Sequence, residues 1–392
     1  MLVDNKTGLI IDAIEKFGGE ARFVGGCVRD SILKRNVHDI DFATNLLPSQ
    51  VTEALERYNI KSIPTGLKHG TITAVLNHRS FEITTLRRDV KCDGRHAEVR
   101  FTDSWKEDAS RRDFTFNALY ADKYGNIYDY FCGIKDLEAR RLNFIGNAED
   151  RIREDYLRIL RAFRFHAKIC LGDLSSEILK VCKAHSHMIQ SLSGERIRDE
   201  IFKLLECNNP PPTLANMQQS DVLQQIIPEE VDCQILSSEL LADVEPLVKL
   251  ALLLRTTQNQ NLGKYMSKFL RLSNKQREKL LFLLSNSIST ELSEREQKKY
   301  ILQFGTELYC DLIRICGVEL KASTEQYILF AQSFTVPKFP LSGNDLIRIG
   351  YQPGKNLGKK LELLKRRWED SSYILTKDEL ISYAKNNKLS LF

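Results

Sequence analysis

The sequence predicts an α+β protein, a small sheet-bearing head followed by an all-helical remainder. Through residue 146, short runs rich in Val, Ile, Thr and Phe alternate with amphipathic helical stretches. From Asn147 onwards helical spacing continues almost without interruption. The 392 residues suffice for two or three domains around a substantial core.

The strand-like runs are ARFVGG (21–26), DIDFAT (39–44), GTITAVL (70–76) and RSFEITTL (79–86). Their β-branched and aromatic residues suit a pleated, half-buried surface. Between them VRDSILKR and PSQVTEALERYN carry helical spacing, the second opened by a proline and a serine. NAEDRIREDYLRILRAFRFHAKI, after LNFIG, reads as one long helix. NNPPP (208–212) interrupts the helical region, since three prolines cannot continue a helix. A second break falls at VPKFPLSGND (336–345). The expected divisions are a head at 1–146, a neck at 147–208, a body at 209–335 and a tail at 336–392, the last three all-α.

Composition bounds the function. Hydrophobic residues make up 42% and charged residues 28%, as in soluble globular proteins. With a net charge of only +5, affinity for a polyanion must come from local basic patches. The nine cysteines include no C-x-x-C pair, which suits a reducing compartment. No run reaches the ~20 apolar residues that cross a bilayer, and the start lacks a secretory h-region. A cytoplasmic protein with no membrane partner is expected. The seven histidines all precede residue 188 and show no zinc spacing.

Asp39 and Asp41 flank Ile40 in a strand-like run. Residues i and i+2 of a strand point the same way, so the carboxylates project together while Ile40 and Phe42 face the core. A buried carboxylate is costly unless compensated. Two hard oxygen ligands suit Mg²⁺, which takes one or two carboxylates plus substrate phosphates. A bare D-x-D is also what turn or cap aspartates look like. VGGCVRD (24–30) decides between them. Gly25 and Gly26, between a strand and a helix, let a phosphate approach the backbone, and Arg29 adds a fork for its oxygens. Strand, Gly-Gly turn, helix and D-x-D strand together can hold a triphosphate and its metals.

GGCVRDSILKRNVHDIDFAT resembles the signature of the polymerase-beta nucleotidyltransferase superfamily. More narrowly it is similar to class II tRNA nucleotidyltransferases, the CCA-adding enzymes, and to their relatives the bacterial poly(A) polymerases. PTGLKHGTITAVL (64–76), FEITTLRRD (81–89), DASRRDFTFNALYAD (108–122) and EDYLRILRAFRF (154–165) follow in the family's order. The resemblance covers roughly residues 21–170. It implies a small mixed β-sheet nucleotidyltransferase head followed by an all-α neck, body and tail. It also implies Mg²⁺ on Asp39 and Asp41 as the catalytic pair, and nucleotide contacts from Gly25, Gly26 and Arg29. Arg111, Arg112 and Asp113, expected to begin a helix, would recognise ribose and triphosphate, with Asn117 also on the nucleotide; an Asp–Arg capping cluster is the alternative. Base selection falls to Asp155 and Arg158, with Arg161 and Arg164 for support or phosphate contact. The implied partners are tRNA, CTP and ATP, and no DNA.

Asp155 and Arg158, at i and i+3 of the expected long helix, would share a face. A carboxylate accepts from the exocyclic amine of cytosine or adenine, and a guanidinium donates to the adjacent ring nitrogen. Guanine and uracil present a carbonyl and a ring N–H there, leaving polar groups mismatched. An ordinary surface salt bridge is the alternative. VKCDGRHAEVRFTDSWKED (90–108) reads as a loop with Asp93, Gly94, Arg95 and His96 at its polar centre. It matches the family's flexible loop, associated with the switch from C to A addition. Glu82 is a candidate third acidic group, or a cross-strand partner for an arginine. In the tail, Lys355, Lys359, Lys360 and Arg366 read as tRNA backbone contacts or as a solvated helix face. The expected function is CCA addition to tRNA. Alternatives are an A-adding or CC-adding enzyme, a poly(A) polymerase, and a non-catalytic RNA-binding protein of the same fold.

Overall fold

A computed structural model describes residues 4–386 except 38, 94, 95, 258, 260, 336 and 372; the side chains of 89–98 are also outside the description. The chain forms two compact units, residues 1–237 with 265–272, and residues 238–264 with 273–392.

The first unit opens with α1 (Asn5–Lys16), started by an Asp4–Thr7 capping box. Next come β1 (Ala21–Val24), α2 (Gly26–Ile32), β2 (Asp41–Thr44), α3 (Pro48–Glu56), β3 (Lys61–Gly66), β4 (Thr71–Leu76) and β5 (Arg79–Thr85). They continue with β6 (Arg87–Asp93), β7 (His96–Phe101), α4 (Trp105–Ser110), β8 (Leu119–Ala121), β9 (Ile127–Asp129) and α5 (Gly133–Glu138). Seven strands form one sheet in the order β3-β4-β5-β2-β1-β8-β9, while β6 and β7 pair separately. The sheet is mixed: β2 and β5 run parallel, with Asp41 opposite Glu82, and the other pairs are antiparallel. Strand β5 keeps period 2, burying Phe81, Ile83 and Thr85 while Glu82 faces out. Phe23, Phe42 and Phe81 stack side by side beneath the sheet. The expected strands are all present.

Two expectations need correction here. The segment 90–108 is not a loop: most of it is the β6–β7 ribbon, with Asp93 opposite His96, followed by α4. Nor do Arg111, Arg112 and Asp113 begin a helix. α4 ends at Ser110 with Arg111 as its C-cap, and a 3-10 turn follows at Thr115–Asn117.

Beyond β9 the described residues carry no strand. The expected long helix is two helices, α6 (Ala148–Glu154) and α7 (Leu157–Ile169), broken at Asp155 where φ is −154° and ψ 107°. After α8 (Ser176–His185), α9 (Gly194–Leu205) packs on α7. Gly194 must be glycine, because a Cβ there would run into the Phe269 carbonyl. The NNPPP break holds: α9 ends before it, and Pro211 opens α10 (Pro211–Gln219).

The second unit is all helical. Its Pro246–Arg255 helix is buried from Leu247 to Leu254. The Lys279 ammonium is held by Glu245, Glu307 and Asp311 at 2.7–2.9 Å. The helices Gly343–Arg348, Lys355–Asp370 and Lys377–Asn386 close on their own core of Leu341, Leu346, Leu364, Trp368, Leu380 and Ala384.

Candidate active site

β2 begins at Asp41, and Asp39 lies two residues before it, yet the alternation continues through both. Ile40 and Phe42 are buried, and both aspartates line one cleft of about 1120 Å³. Gly26 and Arg29 of α2 line the same cleft, with Arg164, His166 and Lys168 of α7 across from them. Gly25 precedes α2 with φ +72°, a conformation open to glycine at little cost. The side chain of Arg112 stands close by, since a Cβ on Gly25 would meet its Nη1 at 3.3 Å.

The Asp41 carboxyl is pushed up to about 6, first by burial, then by Glu82 beside it on β5 and by Asp39, against the pull of Arg112. Three acids thus crowd one strand end with a single arginine offsetting them. Such hard oxygen donors fit a magnesium ion. Among the described residues no three ligand side chains converge as a ready cage. That suits a cation which borrows its remaining ligands from substrate phosphates and water.

A second group of expected residues forms one hydrogen-bonded chain. Arg29 Nη1–H donates to Asn117 Oδ1 at 2.5 Å, and Asn117 Nδ2–H donates to Asp113 Oδ1 at 3.0 Å. Asp113 Oδ2 accepts from Arg161 Nε at 2.7 Å. Arg161 lies 3.7 Å from Glu200 on α9, whose other oxygen pairs with Arg164 at 2.5 Å. Burial would raise the Asp113 carboxyl, but Arg161, Asn117 and the Phe114 N–H hold it below its ordinary range. Arg29, Arg161 and Arg164 also surround the buried Phe165 ring at 5.1, 5.4 and 4.0 Å. This lattice fixes the head against α7 and α9.

Asp155 and Arg158 do not sit as an i, i+3 pair on a helix face. Asp155 ends α6, and its Oδ1 accepts the Leu157 N–H that opens α7, while Oδ2 accepts from Arg196 Nη2 at 2.7 Å. Arg158, in the first turn of α7, donates to Glu154 at 2.5 Å and to the carbonyls of Arg151 and Arg111. Arg111 and Arg112 are held by Asp108 at 2.9 and 3.2 Å. Asp108, Glu154, Arg196 and Glu200 are thus partners that reading the sequence missed. Asp108 had a signal, three and four residues before its arginines. Arg196 and Glu200 lie 41 and 36 residues from Asp155 and Arg164, so no local pattern shows them.

In the tail, Lys355, Lys359 and Arg366 are exposed on the Lys355–Asp370 helix, Arg366 paired with Glu362. Lys360 is different. It is only 6% exposed and lies over the Tyr383 ring, on the face that buries Leu364 and Trp368. Gly94 and Arg95 lie outside the described residues.

Comparison with known proteins gives two family matches, "Poly A polymerase head domain" over residues 21–143 and "Probable RNA and SrmB- binding site of polymerase A" over residues 173–232. The chain is 35% identical to the mitochondrial CCA tRNA nucleotidyltransferase 1 of Danio rerio, over 97% of this chain and 90% of the relative. It is 36% identical to the Homo sapiens protein of the same name, over 93% and 86%. The Bacillus stearothermophilus CCA-adding enzyme, solved with CTP, shares its fold at a TM-score of 0.76 over 97% of both chains, with 24% identity. The relatives overturn the expectation of a cytoplasmic protein, for both are mitochondrial enzymes. Scattered cysteines suit a reducing compartment but do not choose among reducing ones.

Proposed function

The chain belongs to the CCA-adding enzyme and poly(A) polymerase family of the polymerase-beta-like nucleotidyltransferase superfamily, and on that premise we propose how its residues divide the work. The protein adds CCA to the 3′ end of tRNA from CTP and ATP, releasing pyrophosphate, and membership of the family implies that Mg²⁺ is required. The observation that carries the site reading is the placing of Asp39, Asp41, Gly26 and Arg29 around one cleft.

Asp39 and Asp41 hold the magnesium; Glu82, beside Asp41, tightens the negative field there. When bound, the metal supplies Lewis-acid stabilisation of the attacking and leaving oxygens. The turn at Gly25 and Gly26 admits the triphosphate to the backbone, with Arg29 and Arg112 as cationic walls. Arg29 is kept in place by Asn117 at Nη1 and by Asp30, whose two oxygens accept from Nε and Nη2 at 2.8 Å, so the guanidinium is fixed before substrate arrives. The 3′-hydroxyl of tRNA attacks the α-phosphate from the open side of the cleft. Exposed Lys355, Lys359 and Arg366 meet the tRNA backbone, where contacts position without reading sequence. Lys360, buried, supports the helix that carries them.

Base choice rests on Asp155 and Arg158, which face C or A with the acceptor–donor pair those bases share. Their present partners, Arg196 and Glu154, keep both groups oriented until a base replaces part of the contact. Arg158→Ala is expected to lower selection of CTP and ATP over UTP and GTP about tenfold to a hundredfold, the worth of a matched polar edge. Competition kinetics check it, and a variant that keeps its nucleotide ratios but binds tRNA poorly would make Arg158 a tRNA or structural residue.

The test of the whole reading uses three tRNAs, lacking CCA, ending in C, and ending in CC, with Mg²⁺, CTP and ATP. Completion of all three, stopping at the terminal A, is expected. An A-adding enzyme would extend only the CC-ended tRNA, a CC-adding enzyme would add no A, and a poly(A) polymerase would build long tails on other RNAs too.

A further inference from the structure

Asp108 is 1% exposed and lies on α4, outside the lining of the cleft. Its carboxylate receives four donors. Oδ1 accepts from Arg111 Nε at 2.9 Å and from the Arg87 backbone N–H, at the start of the β6–β7 ribbon, at 3.2 Å. Oδ2 accepts from the Tyr120 hydroxyl at 2.7 Å and from Arg112 Nη2 at 3.2 Å. Four donors fill the capacity of an ionised carboxylate. Burial would raise this carboxyl, but Arg112, Arg111 and the Tyr120 hydroxyl bring it down to about 2, so it stays charged. Behind it the fully buried Tyr120 ring meets Trp105 edge-on at 5.3 Å, and the Arg22 guanidinium lies 4.0 Å over Trp105. Next to it Glu107 accepts from the hydroxyl of Thr102, at the other end of the ribbon, at 2.6 Å.

One rigidly backed carboxylate therefore grips both arginines of the Arg111–Arg112 pair and the base of the ribbon. Arginine side chains carry large rotamer freedom, and fixing them beforehand lowers the entropy lost when they meet an anion. We propose that Asp108 is a positioning residue for nucleotide binding, holding Arg111 and Arg112 in the geometry they present to the incoming triphosphate and registering that geometry on the ribbon base. This rests on the reading that these arginines meet the nucleotide.

The full-length enzyme is compared with Asp108→Asn, Tyr120→Phe, Arg112→Lys and the double variant Asp108→Asn/Arg112→Lys. Measured are KM for CTP and ATP, kcat, the Kd for tRNA and the melting temperature. Asp108→Asn is expected to raise both nucleotide KM values about tenfold, the scale of one charge-assisted hydrogen bond, with kcat within about threefold and tRNA affinity unchanged. Tyr120→Phe removes one hydrogen bond and keeps the ring, so KM rises about twofold to fourfold while the melting temperature falls by only a few degrees and the fold is kept. The double variant is worse than Arg112→Lys alone, but by less than the full Asp108→Asn factor, because the Arg112 share of that effect is already lost and only the hold on Arg111 remains to lose. A fall in kcat at unchanged KM, an equal loss of tRNA binding, or additive effects in the double variant overturn the proposal. If Asp108→Asn does not fold, Tyr120→Phe decides: unchanged KM overturns it. If Arg112→Lys leaves nucleotide KM unchanged, the premise fails and the proposal with it; if Arg112→Lys raises KM and Asp108→Asn does not, the proposal alone fails.

Discussion

Asp41→Asn is expected to abolish incorporation of both CMP and AMP, by about a thousandfold or more, while making the metal-free protein more stable. The two halves have one cause. The carboxylate that binds the metal is partly buried beside Glu82 and near Asp39, so its ionised form is disfavoured in the folded chain. Its pKa is raised to about 6 from an ordinary 3.8. A folded pKa above the unfolded value means that the folded state binds more protons across that window, so stability falls as pH rises from about 4 to 6. Above 6 the full penalty is present, on the order of 3 kcal/mol. Asparagine removes it, so the gain appears at pH 7.5 and vanishes below about pH 4. Asp39→Asn should cost as much activity with little gain, because Asp39 is exposed. Initial rates in Mg²⁺ and melting curves without metal test this. Near-normal turnover by either variant sinks the metal assignment. A loss of stability in Asp41→Asn would mean that the carboxylate holds the fold rather than the ion.

The head was legible because its signals are local. Alternation placed Ile40 and Phe42 inside and Asp39 and Asp41 together on the other side, and the Gly-Gly turn needs its backbone freedom within a few residues of the strand it ends. The departures have non-local causes. Nothing in REDYLR marks a helix break, since neither proline nor glycine is present. The break is held by the Asp155 carboxylate, split between the Leu157 N–H and Arg196, a partner 41 residues away. Arg111 and Arg112 look like helix openers, but Asp108 upstream draws them to the end of α4 instead. The β6–β7 ribbon did carry a signal in its sequence: with Asp93 opposite His96, the pair between the arms is Gly-Arg, and Gly-X is a two-residue hairpin cue. Its polar arms make it look like a loop. A ribbon outside the main sheet has no core to face, so hydrophobic alternation is not required of it. Lys360 is the opposite case: the spacing 360, 364, 368 places it on the buried stripe of its helix, which a count of basic residues conceals.

Shortening the ribbon is the second large effect expected. Replacing residues 90–98 by a tight turn should keep CMP addition within about threefold and lower AMP addition to CC-ended tRNA about a hundredfold, roughly the free energy of two good hydrogen bonds in the transition state. The cut leaves the anchoring base whole. Arg87 donates to the His69 carbonyl, the Arg87 N–H binds Asp108, and the Thr102 N–H binds the Leu86 carbonyl. Gly70, at φ +77°, makes room for the Phe101 ring, which a Cβ would strike at 2.7 Å. A two-stranded ribbon adds little stability of its own, so the head should melt within a few degrees of the parent. An intact fold lets a selective loss be read as function: cytidine is added by the cleft alone, whereas adenosine needs the distal ribbon to complete the site. Single-turnover rates on CC-ended tRNA with ATP, beside those on tRNA lacking CCA with CTP, decide it. If both rates fall together at an unchanged melting temperature, the ribbon belongs to the general architecture of the site, and its part in the change from C to A addition is refuted.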